Sequence, residues 1–124
     1  MTTILLVDDE DLLREGVREI LEFSDFQVIE ARDGMEALEL FAVNNVDLVI
    51  SDIVMPNMDG VDFVSRLRES FPAVPILTIS GGSRVVSARF GLDSALLSGA
   101  NESLTKPFTA AQLLEKVNQL LSVN

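Results

Sequence analysis

The fold this sequence predicts is a doubly wound α/β domain, with one parallel five-stranded sheet between two helical layers, and three observations predict it. Compact apolar runs of strand length recur along the chain, TILLV at 3–7, LVIS at 48–51 and PILTI at 75–79. They are too uniformly apolar for strands with one wet face and read as central parallel strands covered on both sides. Segments with apolar residues at helical spacing separate them. The connections are short, which calls for right-handed crossovers with helices on both faces. The 124 residues and 48% apolar content suit one domain with a sizeable core.

Taken in order, the first strand, residues 3–7, runs into Asp8, Asp9, Glu10 and Asp11. Leu13, Val17, Ile20 and Leu21 then define the first helix, with acids in its first turn where the helix dipole favours them. Residues 27–31 form a short second strand. Asp33 with Glu36 marks the start of a second helix, whose Leu38 and Phe41 share a face. The third strand, residues 48–51, stops on Asp52. Pro56 and the Asp59-Gly60 pair are turn residues before a third helix, in which Val64 and Leu67 face inward while Arg66 and Arg68 do not. Pro72 and Pro75 close that helix, and residues 75–79 make the fourth strand, which ends on Ser80. Gly81-Gly82-Ser83 opens a helical stretch in which Val86, Phe90 and Leu97 share one side and which Gly91 interrupts. Residues 101–105 form a fifth strand ending on Lys106-Pro107. Thr109 and Gln112 make a capping box for the last helix, with Leu113, Val117, Leu120 and Leu121 as its buried stripe. Five strands thus alternate with five helices.

Composition narrows the function. A net charge of −11 and a pI near 4.2 repel nucleic-acid backbones and anionic lipid, because binding either requires clustered Lys and Arg. The nine basic residues are scattered. Without Cys or His there are no disulfides, thiolate sites or imidazole ligands, so a metal must be held by oxygen. No apolar run reaches membrane-spanning length and the amino terminus lacks the basic start of a secretory signal, so the cytoplasm is the expected compartment.

In a parallel sheet the residues that close the strands gather at one edge, outside the carboxyl ends where ligands of such folds bind. Here those residues are Asp8 and Asp9, Asp52, Ser80 and Lys106. Two carboxylates about 4 Å apart repel by roughly 4 kcal/mol at an effective dielectric near 20, and a divalent cation between them relieves this. An all-oxygen cluster suits Mg2+, which takes carboxylates, water and phosphate oxygens. A lysine supplies a compact positive charge for a phosphoryl oxygen, and a serine hydroxyl can bond another. Glu10 and Asp11 are accounted for as helix-start acids and stay outside the metal set. Asp59-Gly60 and Met55-Pro56 are accounted for as loop chemistry.

With these residues in place the whole chain resembles the receiver domain of two-component response regulators. The resemblance is carried by Asp8-Asp9 after the first strand, Asp52 in DIVMPNMDG, Ser80 after the fourth strand and Lys106 in TKPF. It implies the flavodoxin-like strand order 2-1-3-4-5 and names Asp52 as the nucleophile that accepts a phosphoryl group. Asp9 and Asp52, with the main-chain carbonyl of Val54, would hold Mg2+, and Asp8 would act through metal-bound water. Ser80 and Lys106 would bind phosphoryl oxygens, and Lys106-Pro107 would be a cis peptide. The donor would be a phosphohistidine on a sensor histidine kinase or a histidine phosphotransfer protein, met through Leu12, Arg14 and Phe108. The resemblance further implies a single receiver domain over residues 1–124 without an output module, signalling through protein contact and binding neither nucleic acid nor membrane.

Two departures fall on the region that carries output in this family. Its usual aromatic three residues before the lysine is Ser103 here, and residues 81–98 run a few residues long. Coupling is therefore expected through apolar residues such as Val85, Val86 and Leu104. Two other readings remain: a small Mg2+-dependent phosphatase of the haloacid dehalogenase type, suggested by Asp9-Glu10-Asp11, and an unphosphorylated interaction module on the same fold.

Overall fold

Five strands, β1 (Thr3–Val7), β2 (Gln27–Ala31), β3 (Leu48–Asp52), β4 (Ile76–Ser80) and β5 (Glu102–Thr105), form one sheet in the order β2-β1-β3-β4-β5. Every neighbouring pair is parallel. The described helices are α1 (Asp11–Phe23), α2 (Gly34–Val43), α3 (Gly60–Ser70) and α4 (Ala110–Leu121). The structure, a computed structural model, describes residues 1–53, 58, 60–80 and 99–122. The helix expected within 81–98, and with it Val85 and Val86, lies outside the described residues, as do Val54, Met55, Pro56 and Asp59.

All residues of β1, β3 and β4 are buried, whereas β2 and β5 at the edges are only partly covered. The largely apolar runs have this cause: successive side chains point to opposite faces, so a strand covered on both faces is apolar at most positions, its polar residues, Thr3, Ser51, Asp52, Thr78 and Ser80, falling mainly toward its ends. Leu5, Val7, Val49 and Ile76 pack with Ala37 and Phe41 of α2 and Phe63, Val64 and Leu67 of α3. Ile4, Leu6, Leu48, Ile50, Leu77 and Ile79 pack on the other face with Val17 and Leu21 of α1 and Leu113, Val117 and Leu120 of α4.

The helix ends show how the chain enters and leaves each layer. Asp33 caps α2 by accepting from the Glu36 N–H at 2.9 Å, while the Glu36 carboxylate accepts from the Arg32 N–H. Thr109 and Gln112 form both bonds of the expected capping box. Beyond the end of α1, Asp25 takes a left-handed conformation (φ 69°), and the Phe26 and Asp25 N–H groups donate back to the Leu21 and Glu22 carbonyls. That pairing satisfies carbonyls a helix end otherwise leaves open.

Two expectations need correction. The third strand runs one residue further than 48–51: Asp52 pairs with Ile79 and the Ile53 N–H donates to the Ile79 carbonyl at 3.0 Å. Asp52 is therefore the last residue of the strand rather than the first beyond it. Arg68 is not a solvated outer residue of α3. Its guanidinium donates to the carbonyls of Phe71, Pro72, Val74 and Gly99 and to the Asn101 side chain, at 2.7–3.2 Å. The planar five-donor fork lets one side chain tie the end of α3 to both segments that feed β4 and β5.

Candidate functional site

Register places the acids. Val7 of β1 is paired with Ser51 of β3, so the next residues, Asp8 and Asp52, stand side by side at the carboxyl edge. Ser80 of β4 is paired with Thr105 of β5, and the Lys106 N–H continues that ladder by donating to the Ser80 carbonyl at 2.7 Å. Lys106 thus enters the same edge from the far side of β4. The Lys106-Pro107 peptide is cis, as the resemblance implied.

Asp52 is only 3% exposed, and Lys106 Nζ donates to its Oδ2 at 3.0 Å. The same ammonium lies 3.7 Å from Glu10 Oε1. Carboxylate oxygens of Asp8, Glu10 and Asp52 lie within 4.8 Å of one another. Glu10 is thus a member of the site that the sequence reading set aside. It is the N-cap residue of α1 but makes no side-chain cap, and the only signal for it was its place immediately after the acid pair. Asp9 is not one of the three converging carboxylates.

Asp8 is buried, and its carboxylate accepts from the Glu10 N–H at 2.9 Å. Burial, which penalises the charged form, raises its pKa from 3.8 to about 6; the Glu10 hydrogen bond opposes the rise and the Asp52 charge adds to it. A buried acid raised this far by desolvation, beside a second carboxylate, marks a candidate functional site. Ser80 Oγ is buried and has no hydrogen-bond partner among the described residues, which is costly for a hydroxyl unless something else approaches it.

The floor of the site depends on Gly60. Its N–H donates to the Ile53 carbonyl at 2.6 Å. A Cβ there would run into the Asp52 carbonyl and come within 2.5 Å of Ile53 Cα, so only glycine lets the start of α3 cross so close behind Asp52. Of the residues expected to meet a donor, Leu12 is 86% exposed. Phe108 lines, with Leu13, Lys106 and Pro107, a shallow groove of about 350 Å³ beside the site. Arg14 is turned inward, donating to the Asp8 carbonyl, Asp11 and Glu30. Ser103, where the family's aromatic would stand, pairs with Thr78 inside the sheet, and Leu104 packs partly buried against the α1 and α4 layer.

Comparison with known proteins decides the family, since the model of the response regulator receiver domain matches residues 4–118. The chain belongs to that family. The receiver is 39% identical over 118 residues to response regulator MprA of Mycobacterium sp. (strain KMS), covering 95% of this chain and 50% of the relative. It is 37% identical over the same length to MprA of Mycobacterium leprae. The chain therefore spans about half the length of the curated relatives it matches. Among solved structures, the receiver resembles Vibrio cholerae chemotaxis protein CheY4 with a TM-score of 0.86 and 31% identity, covering 98% of this chain and 99% of that one. The receiver domain of NtrX from Brucella abortus matches with a TM-score of 0.90 and 28% identity, covering 98% and 99%. Among the described residues no helix is long and apolar enough to cross a membrane.

Proposed function

We propose that Asp52 is the phosphoacceptor of this receiver, taking a phosphoryl group from a phosphohistidine of a sensor histidine kinase or phosphotransfer protein. The observation that carries the proposal is the position of Asp52. It is buried at the end of a central strand, bonded to Lys106 at 3.0 Å, and it converges with other acids at the sheet's carboxyl edge.

The donor set fits Mg2+: it is all oxygen, the acids are crowded, and the Asp8 carboxyl is raised by its burial. By the family resemblance Asp9, Asp52 and the Val54 main-chain carbonyl would hold it, with Asp8 acting through metal-bound water, and Glu10, the third carboxylate of the cluster, lies close enough to Asp8 and Asp52 to share that role. When bound, Mg2+ would neutralise charge on the transferring oxygens. The chain's own residues supply the rest. An Asp52 oxygen forms a bond to phosphorus as the phosphorus–nitrogen bond of the donor breaks. The imidazole keeps the electron pair of that bond and takes up a proton. Lys106 leaves Asp52 for a phosphoryl oxygen, and the Ser80 hydroxyl donates to another. The product carries about −1.5 to −2 charge, so closing Ser80 and Lys106 around it favours one arrangement of the adjoining loops. Residues 1–124 act in this as one receiver domain that signals by protein contact and turns over its own phosphoryl group slowly.

Intact mass after incubation with acetyl phosphate or phosphoramidate tests this, with and without Mg2+, for the wild type and Asp52→Asn. One added phosphoryl group that needs both Mg2+ and Asp52 is the expected result. No addition under any condition would favour the interaction-module reading. Many turnovers of a phosphate monoester per chain would favour the phosphatase.

A further inference from the structure

We infer that Arg14 is a positioning residue for the acid loop: its guanidinium holds the peptide between Asp8 and Asp9 and so sets the aim of both carboxylates. This rests on the phosphoacceptor reading of the same site.

Each of the three polar groups of Asp8 is held. Its N–H is held by the Ala31 carbonyl at 3.1 Å, continuing the β1–β2 ladder. Its carboxylate Oδ1 accepts from the Glu10 N–H at 2.9 Å. Its carbonyl accepts from Arg14 Nη1 at 2.7 Å. That carbonyl belongs to the planar peptide joining Asp8 to Asp9, so one hydrogen bond orients the unit from which both side chains depart. Without it, the sheet would hold only the amino side of Asp8, just where the chain leaves the ladder and turns towards α1.

Arg14 is itself immobilised. Its side chain is 11% exposed, Nε donates to Glu30 Oε1 at 3.0 Å, and Nη2 donates to Asp11 Oδ1 at 2.8 Å. Glu30 on β2 is gripped from its other oxygen by Arg18 Nη1 at 3.0 Å. Although burial works to raise the Glu30 pKa, the hydrogen bonds from Arg18 and Arg14 bring it below its ordinary value. The loop peptide is thus anchored through Arg14 to both β2 and α1. Three acceptors in three directions match the rigid guanidinium fork, and a lysine ammonium on a flexible stem cannot reproduce it. Since Asp11 and Glu30 already balance the charge of Arg14, its contribution to the site is geometry rather than field.

A Mg2+ titration of the full chain at pH 7.5, followed by amide shifts of residues 8–10 and 52, tests the inference. Arg14→Met is expected to weaken Mg2+ binding about 10-fold, the scale seen when a residue orienting a metal ligand is removed. Arg14→Lys should fall between it and the wild type. Glu30→Gln should weaken binding less. Because Glu30 acts through Arg14, the double variant should bind no more weakly than Arg14→Met alone. In metal-free Arg14→Met the amides of residues 8–10 should shift while those of α2 and α3 hold their positions. If Arg14→Met fails to fold, Arg14→Lys and Glu30→Gln carry the same test. A folded variant with unchanged Mg2+ affinity, beside a wild type that binds, overturns the inference and leaves the phosphoacceptor reading standing. Strictly additive losses in the double variant overturn it as well. A wild type that binds no Mg2+ and takes no phosphoryl group removes that reading, and this inference with it.

Discussion

Replacing Asp8 with Asn should stabilise the metal-free receiver at neutral pH while removing its response to Mg2+. Folding raises the Asp8 pKa from 3.8 to about 6, so the native state holds a proton that the unfolded chain releases. Between these two values the unfolded state binds fewer protons, and stability must fall as pH rises. The penalty is absent below about pH 4 and complete above about pH 6. At about 1.36 kcal/mol per pKa unit the shift corresponds to at most about 3 kcal/mol. Solvent reaching the mouth of the site screens part of it, leaving an expected 1–3 kcal/mol. Asn keeps a side-chain oxygen for the Glu10 N–H bond but carries no charge, so that bond survives while the burial cost disappears. Urea unfolding in EDTA at pH 4, 6 and 7.5 measures the effect. The variant should exceed the wild type by 1–3 kcal/mol at pH 7.5 and match it near pH 4. Adding Mg2+ at pH 7.5 should stabilise the wild type according to its affinity and leave the variant nearly unchanged. A variant no more stable than the wild type at pH 7.5, or a gap that persists at pH 4, would refute the reasoning.

Other substitutions probe the same geometry. Ser80→Ala removes a buried hydroxyl that has no partner among the described residues, and an unsatisfied hydroxyl costs about 1–3 kcal/mol to bury. Urea unfolding should show unchanged or slightly higher stability, with a lower phosphorylated fraction after acetyl phosphate treatment, and a loss above about 1 kcal/mol would contradict this. Arg68→Ala strips the donors from four carbonyls and the Asn101 side chain and should cost about 2–4 kcal/mol. Arg68→Lys should recover less than half of that in the same assay. Gly60→Ala places a methyl group against the Asp52 carbonyl and should destabilise by at least about 2 kcal/mol. Its amide spectrum should show shifts at Asp52 and Ile53, and wild-type stability with an unshifted spectrum would show that the backbone gives way more easily than the packing indicates.

Sequence alone determined the periodic features. Mostly apolar runs announced β1, β3 and β4 because strands covered on both faces hide nearly every side chain from water. The stripe of Leu113, Val117 and Leu120 announced α4, and Thr109 with Gln112 its start, because both patterns are local. Asp8, Asp52, Ser80 and Lys106 were legible as site candidates because each closes a strand, and parallel topology brings such ends together. Register was not legible, since hydrogen-bond pairing between strands far apart in the chain leaves no local trace. It is register that sets Asp8 beside Asp52. Tertiary structure alone likewise decided the long-range polar bonds. Arg68 was read by spacing as facing outward and Arg14 flanks the buried stripe of Val17 and Leu21, yet in both cases it is the long side chain that reaches carbonyls and carboxylates that folding brings within range. Glu10 looked like a helix-start acid because its local position permits that role. Only the approach of Lys106 and Asp52, 96 and 42 residues further along, makes it part of the site.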